Sequence, residues 1–528
     1  MERMEWMSKG NSCTAKTAKR ARNAWAIALM LGTIAVGSLG AEDESWPMFG
    51  QNAANTASTS ETTITTSKVS TLKTKWIFTT GGDVSARAAV VDGVVYFPDW
   101  GGYIWAVSAS SGKKLWHHKM SDYGLPSGTI SRTSPAVVDD KVYIGTQTDG
   151  WLLAINAKTG SLIWKTAPIA PAYFPKITGS VTVVDSVVYV GLATDEEGKA
   201  EENNYPCCTT KGRIVAVNAN NGTVLWSTAT VPTGYSGGSI WSSGPVVDES
   251  RHTVYVTTGN NYSTPTAEAY LTCVASGKSV GACQSPEDYA DSVVALNSKT
   301  GAVKWGTRLL QWPETTDTDD FNLACRISPL GSNCPTPTGP DFDFGSGPNE
   351  ITYKTAKGSA TIIGAGQKSG IYYALNPDTG AELWHTQVGP GIQWGSASDG
   401  TRIYVAVSNP GGVSYAGGDA GSWAALDPAT GKILWQTPDP NGATDTGPLA
   451  VANGIVYAPS LAGSATAPNM FALNAATGAK LWSYAAGSSV NAGAAIVGGE
   501  VYWGSGYSRS AGATGGKNRF YAFSEDGK

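Results

Sequence analysis

The sequence predicts an all-β fold, an eight-bladed β-propeller with docking tryptophans and a ring closed by the N-terminal strand. Three observations carry that prediction. First, one phrase recurs along the chain: an alanine in an apolar strand, a turn usually containing Thr-Gly or Asn-Gly, and a tryptophan ten residues after the alanine. Seven copies are complete: Ala106 to Trp116, Ala154 to Trp164, Ala216 to Trp226, Ala295 to Trp305, Ala374 to Trp384, Ala425 to Trp435 and Ala472 to Trp482. Second, most copies repeat at close to 50 residues, a period that marks four-stranded blades around a central channel. Third, the eighth copy is split, with Ala522 in a C-terminal strand and an orphan Leu72-Lys-Thr-Lys-Trp76 near the other end. Pairing the two halves closes the ring and removes the open sheet edge of a linear array.

Each element follows from local chemistry. Between the phrases lie runs such as Ala136-Val-Val-Asp-Asp-Lys-Val-Tyr-Ile144 and Ile496-Val-Gly-Gly-Glu-Val-Tyr-Trp503, in which two apolar segments flank a polar turn and read as hairpins. The repeated tryptophans are placed to pack against the neighbouring sheet, each burying a large apolar surface. With 64 glycines, 19 tryptophans and only 15% charged residues, the composition suits many short strands and tight turns. Successive alanines lie 48, 62, 79, 79, 51, 47 and 50 residues apart, so blades three to five carry the insertions. Long loops on a compact ring are usually functional, which places the expected chemistry near residues 170 to 370.

Residues 1–41 read as an export signal: Lys16, Lys19, Arg20 and Arg22 precede an apolar run from Trp25 to Leu39, then Gly40 and Ala41. Residues 42–528 are then the propeller, in the periplasm or secreted. The formal charge of −5 becomes −9 once that segment is removed, and no basic patch remains for nucleic acid. Export also changes how the cysteines read. Six remain after Cys13 leaves, forming three close pairs, 207 with 208, 273 with 283 and 325 with 334, which are the expected disulfides.

Five segments in and around the insertions resemble the pyrroloquinoline quinone-dependent alcohol dehydrogenases, with the polyvinyl alcohol dehydrogenases as the nearest branch. They are Ile177-Thr-Gly-Ser with Val190-Gly-Leu-Ala-Thr-Asp-Glu-Glu197, Ser239-Ile-Trp-Ser-Ser243, Val256-Thr-Thr-Gly-Asn-Asn261, Asp341-Phe-Asp-Phe-Gly-Ser-Gly-Pro348 and Gly366-Gln-Lys-Ser-Gly-Ile-Tyr372. The resemblance implies that Thr178, Trp241 and Lys368 contact the quinone. It also implies that Glu196, with Glu197 as a possible substitute, Asn260 and Asp341 hold a metal ion, and that Asp341 is the catalytic base. Asp343 matches a position that in some members adds a carboxylate suited to a lanthanide, so calcium and a lanthanide are both open. Pro340 stands where the family usually has tryptophan, which leaves Asp319 and Asp320 as rivals for the base. The vicinal pair Cys207 and Cys208 is a family feature that covers the cofactor, here one blade later than in methanol dehydrogenases.

The chemistry so implied is oxidation of an alcohol, secondary or polymeric, to a carbonyl. A hard cation on oxygen ligands acts as Lewis acid, the aspartate takes the hydroxyl proton, and Lys368 stabilises charge developing on the quinone oxygens. No Cys-x-x-Cys-His sequence is present, so the expected electron acceptor is separate, a soluble cytochrome c, with no haem in this chain. Two other readings compete: a non-catalytic propeller of the outer-membrane assembly type, and a carbohydrate-binding propeller using Trp100, Trp151 and Trp394.

Overall fold

In the computed structural model, which describes residues 45–166, 174–202, 204–309, 333, 340–509 and 512–528, the strands form eight sheets, each built on four antiparallel strands; two carry a fifth, Ser58–Thr59 parallel to Ala450–Ala452 and Pro175–Lys176 antiparallel to Val187–Thr194. Blade one is Ala89–Val91, Val94–Pro98, Tyr103–Ser108 and Lys114–Lys119, running outward from the channel in chain order. The next six blades repeat that order. The predicted hairpins are present, Ala136–Val138 with Lys141–Gly145 and Ala495–Val497 with Glu500–Gly504. Blade eight combines Ala495–Val497, Glu500–Gly504 and Arg519–Glu525 with the N-terminal strand Leu72–Thr79, in which Trp76 pairs with Ala522. The two halves of the split phrase therefore meet in the register that Ala106 with Trp116 and Ala425 with Trp435 use elsewhere.

The repeated tryptophan works between blades. In each of the eight, the indole N–H donates to a backbone carbonyl of the next blade: Trp76 to Ala109, Trp116 to Ala157, Trp164 to Ala219, Trp226 to Ser298, Trp305 to Pro377, Trp384 to Pro428, Trp435 to Ala475 and Trp482 to Leu72, all at 2.7–3.1 Å. The ring lies over the turn that follows. At Gly431, φ is +71° and a Cβ would come within 2.4 Å of the Trp384 ring, so the turn glycine is required both for its left-handed backbone and for space.

The N-terminal segment 45–61 threads the channel and visits the blades in order. Trp46 exchanges backbone bonds with Val90 of blade one, and the carbonyl of Pro47 accepts from Val137 of blade two. Met48 packs into the core of blade three with Val181 and Val183. The carbonyls of Ala53, Ala54, Thr56 and Ala57 then accept from Val247, Glu350, Ser398 and Val451 of blades four to seven. A Glu61 carboxylate oxygen accepts from Gly499 of blade eight. Gly499 aside, these amides belong to the innermost strands, whose free edges would otherwise be unpaired in the channel.

Within the long insertion of blade four, helices Glu268–Ala275 and Val280–Cys283 are joined by the predicted Cys273–Cys283 disulfide. The Cys207–Cys208 disulfide is formed as well, across a cis rather than trans peptide, with Cα atoms 3.0 Å apart. The expected export segment 1–41, the Cys325–Cys334 pair, Asp319 and Asp320 lie outside the described residues. No helix among the described residues is long and apolar enough to cross a membrane.

The Gly431→Ala substitution is expected to lower stability by about 2–4 kcal/mol, the sum of a left-handed backbone penalty and overpacking against Trp384. At Gly442, φ is +67° and an added methyl would meet no atom within 4 Å, so Gly442→Ala supplies the control at about 1 kcal/mol. Calorimetric unfolding of the two variants checks the difference.

Candidate active site

One end of the channel opens into a cavity of about 450 Å³. Its walls come from two kinds of segment, those entering a blade's innermost strand and those leaving its second strand. The first kind supplies Arg132, Thr178, Trp241, Asp343 and Trp394; the second supplies Gln147, Glu197, Asn260, Lys368 and Arg509. These are loop positions held by rigid strand ends, where a propeller can place polar groups without breaking a ladder.

The centre of the cavity is an acid–base cluster. Asp343 is buried, and its Oδ2 accepts from the Trp241 indole N–H at 2.7 Å while its Oδ1 lies 2.5 Å from the Lys368 Nζ. Lys368 also donates to both carboxylate oxygens of Asp341, at 2.9 and 3.0 Å, and sits 4.8 Å from the centroid of the Trp241 ring. Burial pushes Asp343 up to about 6 against the pull of Lys368. Burial opposes the charge on Lys368, but the two aspartates outweigh it and hold the ammonium above the usual lysine range. Trp241 meets Trp394 edge to face, with centroids 5.2 Å apart, and Arg132 stacks on Trp394 at 4.2 Å.

The sequence expectations are met unevenly. Thr178, Trp241, Asn260, Asp343 and Lys368 come together on the cavity wall. Asp341 does not line it, because Lys368 captures its carboxylate from outside; the aspartate facing the cavity is Asp343. Glu196 likewise does not line the cavity. Its carboxylate is buried and accepts from the Thr209 and Thr210 amides and the Tyr205 hydroxyl, whereas Glu197 takes the place on the wall. Cys207 and Cys208 are not part of the wall either: both sulfurs lie 3.7 Å from the Glu196 carbonyl oxygen, and the Cys208 amide donates to Ser263.

The three tryptophans of the carbohydrate reading are not an exposed stripe. Trp394 is buried at the cavity, Trp100 donates to Ser85 beneath Arg509, and Trp151 lies beneath Lys165. Sequence reasoning missed Arg132, Gln147, Tyr262 and Arg509, which also line the cavity. No periodicity marks them, since each sits in an irregular segment.

The Asn260 side chain is buried with its Nδ2 unbonded among the described residues, and Glu197, Asn260 and Asp343 present oxygen ligands of the type hard cations take. Among the described residues there is no group of three or more histidine, cysteine, aspartate or glutamate side chains placed to hold a metal, so this set of two carboxylates and one amide needs a bound ligand or water to complete a coordination sphere.

The comparisons follow the same line. A family model described as "Outer membrane protein assembly factor BamB" matches residues 25–191 and 367–518. It passes over the stretch between, which holds Glu197, Trp241, Asn260 and Asp343. The polyvinylalcohol dehydrogenase of Sphingopyxis sp. (strain 113P3) is 30% identical over 87% of this chain and 73% of its own length. The chain belongs to the quinoprotein alcohol dehydrogenases. A second family member, a polyvinylalcohol dehydrogenase of Pseudomonas sp., is 28% identical over 92% of this chain and 78% of its own. The quinoprotein fold is shared with the quinohemoprotein alcohol dehydrogenase of Comamonas testosteroni, at a TM-score of 0.66 and 20% identity over 92% of this chain and 81% of that one.

In this quinoprotein, Lys368→Ala leaves Asp341 and Asp343 without their cation. The expected loss is about 3–5 kcal/mol at pH 8. In the parent Lys368 helps to hold Asp343 down at about 6, so without it the carboxyl lies higher; protonation then relieves the unpaired charge first in the variant, and the gap between variant and parent narrows as pH falls from 8 towards 6. Urea unfolding of the cofactor-free protein across that range checks it.

Proposed function

We propose that this chain oxidises alcohols to carbonyl compounds with bound pyrroloquinoline quinone and a metal ion. The observation that carries the reading is the convergence of Asp343, Lys368, Trp241, Asn260 and Glu197 on one cavity, combined with membership of the family. Trp241 offers an aromatic surface beside that cluster, and Thr178, Arg132 and Lys368 offer donors for the oxygens of an anionic tricyclic cofactor. Glu197, Asn260 and Asp343 are the ligands for a hard cation, calcium or a lanthanide. When bound, the quinone supplies the hydride acceptor.

The protein's part is proton handling and charge. Asp343, raised by burial to about 6 and still ionised at neutral pH, is placed to take the hydroxyl proton of the substrate. Lys368 remains charged through the reaction and opposes the negative charge that develops beside it. The burial of Asp343 beside the Trp241–Trp394 pair strengthens both effects.

The substrate class we assign is a secondary alcohol, with polyvinyl alcohol as the polymeric candidate, on the names of the two relatives. Electrons leave to a separate acceptor such as a soluble cytochrome c, and the protein works in the periplasm or outside the cell.

The test is dye-linked oxidation of 2-propanol and polyvinyl alcohol after reconstitution with quinone and calcium or a lanthanide. Asp343→Asn is expected to lower turnover by about 10²–10⁴-fold while quinone binding, followed by absorbance, persists. Asp341→Asn retains turnover. A loss confined to Asp341→Asn would return the base to Asp341, equal loss in both would overturn Asp343 as the sole base, and absence of quinone-dependent turnover in the parent would favour a non-catalytic propeller.

A further inference from the structure

The segment that carries Asp343 is fixed at both ends, and one anchor comes from the N-terminal segment rather than from a blade. At the near end, the Thr257 hydroxyl donates to the Ser346 carbonyl at 2.7 Å, and the Phe344 amide donates to the Thr258 carbonyl at 3.3 Å. At the far end stands Asn55. Its Nδ2 donates to the Pro348 carbonyl at 2.8 Å, and its own carbonyl accepts from the Asn349 side chain. The next residue, Glu350, donates its amide to the Ala54 carbonyl at 2.9 Å. Asn55 is buried, 5% exposed, and 293 residues from Pro348 in sequence. It adopts φ +57°, a left-handed backbone that asparagine tolerates and most residues do not.

The same threaded segment also reaches the opposite wall. Phe49 packs against Gly395, whose φ is +125°, directly after Trp394, and the Phe49 carbonyl accepts from Arg87 at 2.7 Å. Trp394 in turn meets Trp241 edge to face, and Trp241 donates to Asp343. Two walls of the cavity thus rest on residues 49 and 55 of one strap.

We infer that Asn55 is a positioning residue for the alcohol oxidation proposed above, holding the Asp343 segment at the depth where its carboxylate faces both Trp241 and Lys368. The inference rests on that functional reading. Asn55 touches neither cofactor nor substrate; it acts through Pro348 and Asn349. Its loss is expected to lower turnover far more than it weakens binding, because Thr178, Glu197, Trp241 and Asn260, which hold most of the ligand, come from other segments.

Asn55→Gly keeps the left-handed backbone and the carbonyl while deleting the Pro348 bond; Asn55→Asp keeps the size while removing the donor. Asn52→Ala, in the same strap but with side-chain bonds among the described residues only to Thr56, is the control. In protein reconstituted with quinone and calcium, kcat should fall about 10- to 100-fold in both Asn55 variants, with KM and quinone affinity within about twofold of the parent and the control unchanged. The indole ¹⁵N–¹H resonance of Trp241, assigned through Trp241→Phe, should shift in both variants even without cofactor, because its acceptor is Asp343. Unchanged kcat, a loss confined to KM, or an unmoved Trp241 resonance overturns the inference. If the parent shows no quinone-dependent turnover, the functional reading fails, and the resonance alone then decides whether Asn55 sets the position of Asp343.

Discussion

The docking of one indole onto the next blade is the contact on which the rest of the molecule depends. A four-stranded sheet has one buried edge toward the channel and two faces that need cover. Here the cover is the neighbouring sheet, and its position is set by an indole N–H that reaches a specific carbonyl while the ring lies on the following turn. Repeated eight times, the contact fixes how far each blade is rotated from the last. The two bonds that span the seam, Trp482 to Leu72 and Trp76 to Ala109, are of the same kind as the others. The seam is therefore not a weak joint of different chemistry. The loops at strand ends inherit that regularity, which is how groups from six blades meet at one cavity.

Much of this was legible because the docking contact leaves a mark in sequence. An alanine and a tryptophan ten residues apart fall opposite each other across a bulged hairpin, as Ala425 and Trp435 do, and the tight turn between them requires glycine. The N-terminal strap left no such mark. Its carbonyls bond to backbone amides, such as those of Val247 and Ser398, and a backbone amide is the same in every residue. Asn55 and Glu61 aside, the strap's bonds to the blades described above are made by its main chain, so no pattern of side chains announces them.

At the cavity, residue type was readable and the choice between near neighbours was not. Asp341 and Asp343 are two apart in an extended segment, so periodicity gives them the same face. What separates them is the Trp241 indole, which comes from a different blade and reaches Asp343. Glu196 and Glu197 begin a short 3-10 turn, and the choice is made by the amides of Thr209 and Thr210, more than a dozen residues later, which claim Glu196. Both placements have one cause: where an acid faces depends on which distant donors bond it.

The charges around the cavity give the remaining step. The Arg87 guanidinium lies fully buried next to it, bonded only to carbonyls of Phe49, Pro448 and Leu449 among the described residues, and burial pushes it down to about 9. It sits between the Trp46 and Phe49 rings, and a cation kept there without a carboxylate has no structural return large enough to explain it from pairing alone. Arg132 and Arg509, from blades two and eight, add positive charge at the walls, while Asp343 and Glu197 bring negative charge on the side of blades three to five, where Lys368 is already paired with Asp341 and Asp343. The field across the cavity therefore has a direction. Ligands that fit it are anionic toward the arginines and carry or recruit a cation toward the acids, and water, being neutral and mobile, meets neither demand fully. Leaving the Asn260 Nδ2 unbonded among the described residues costs stability at that place, and a ligand that accepts from it would recover that cost.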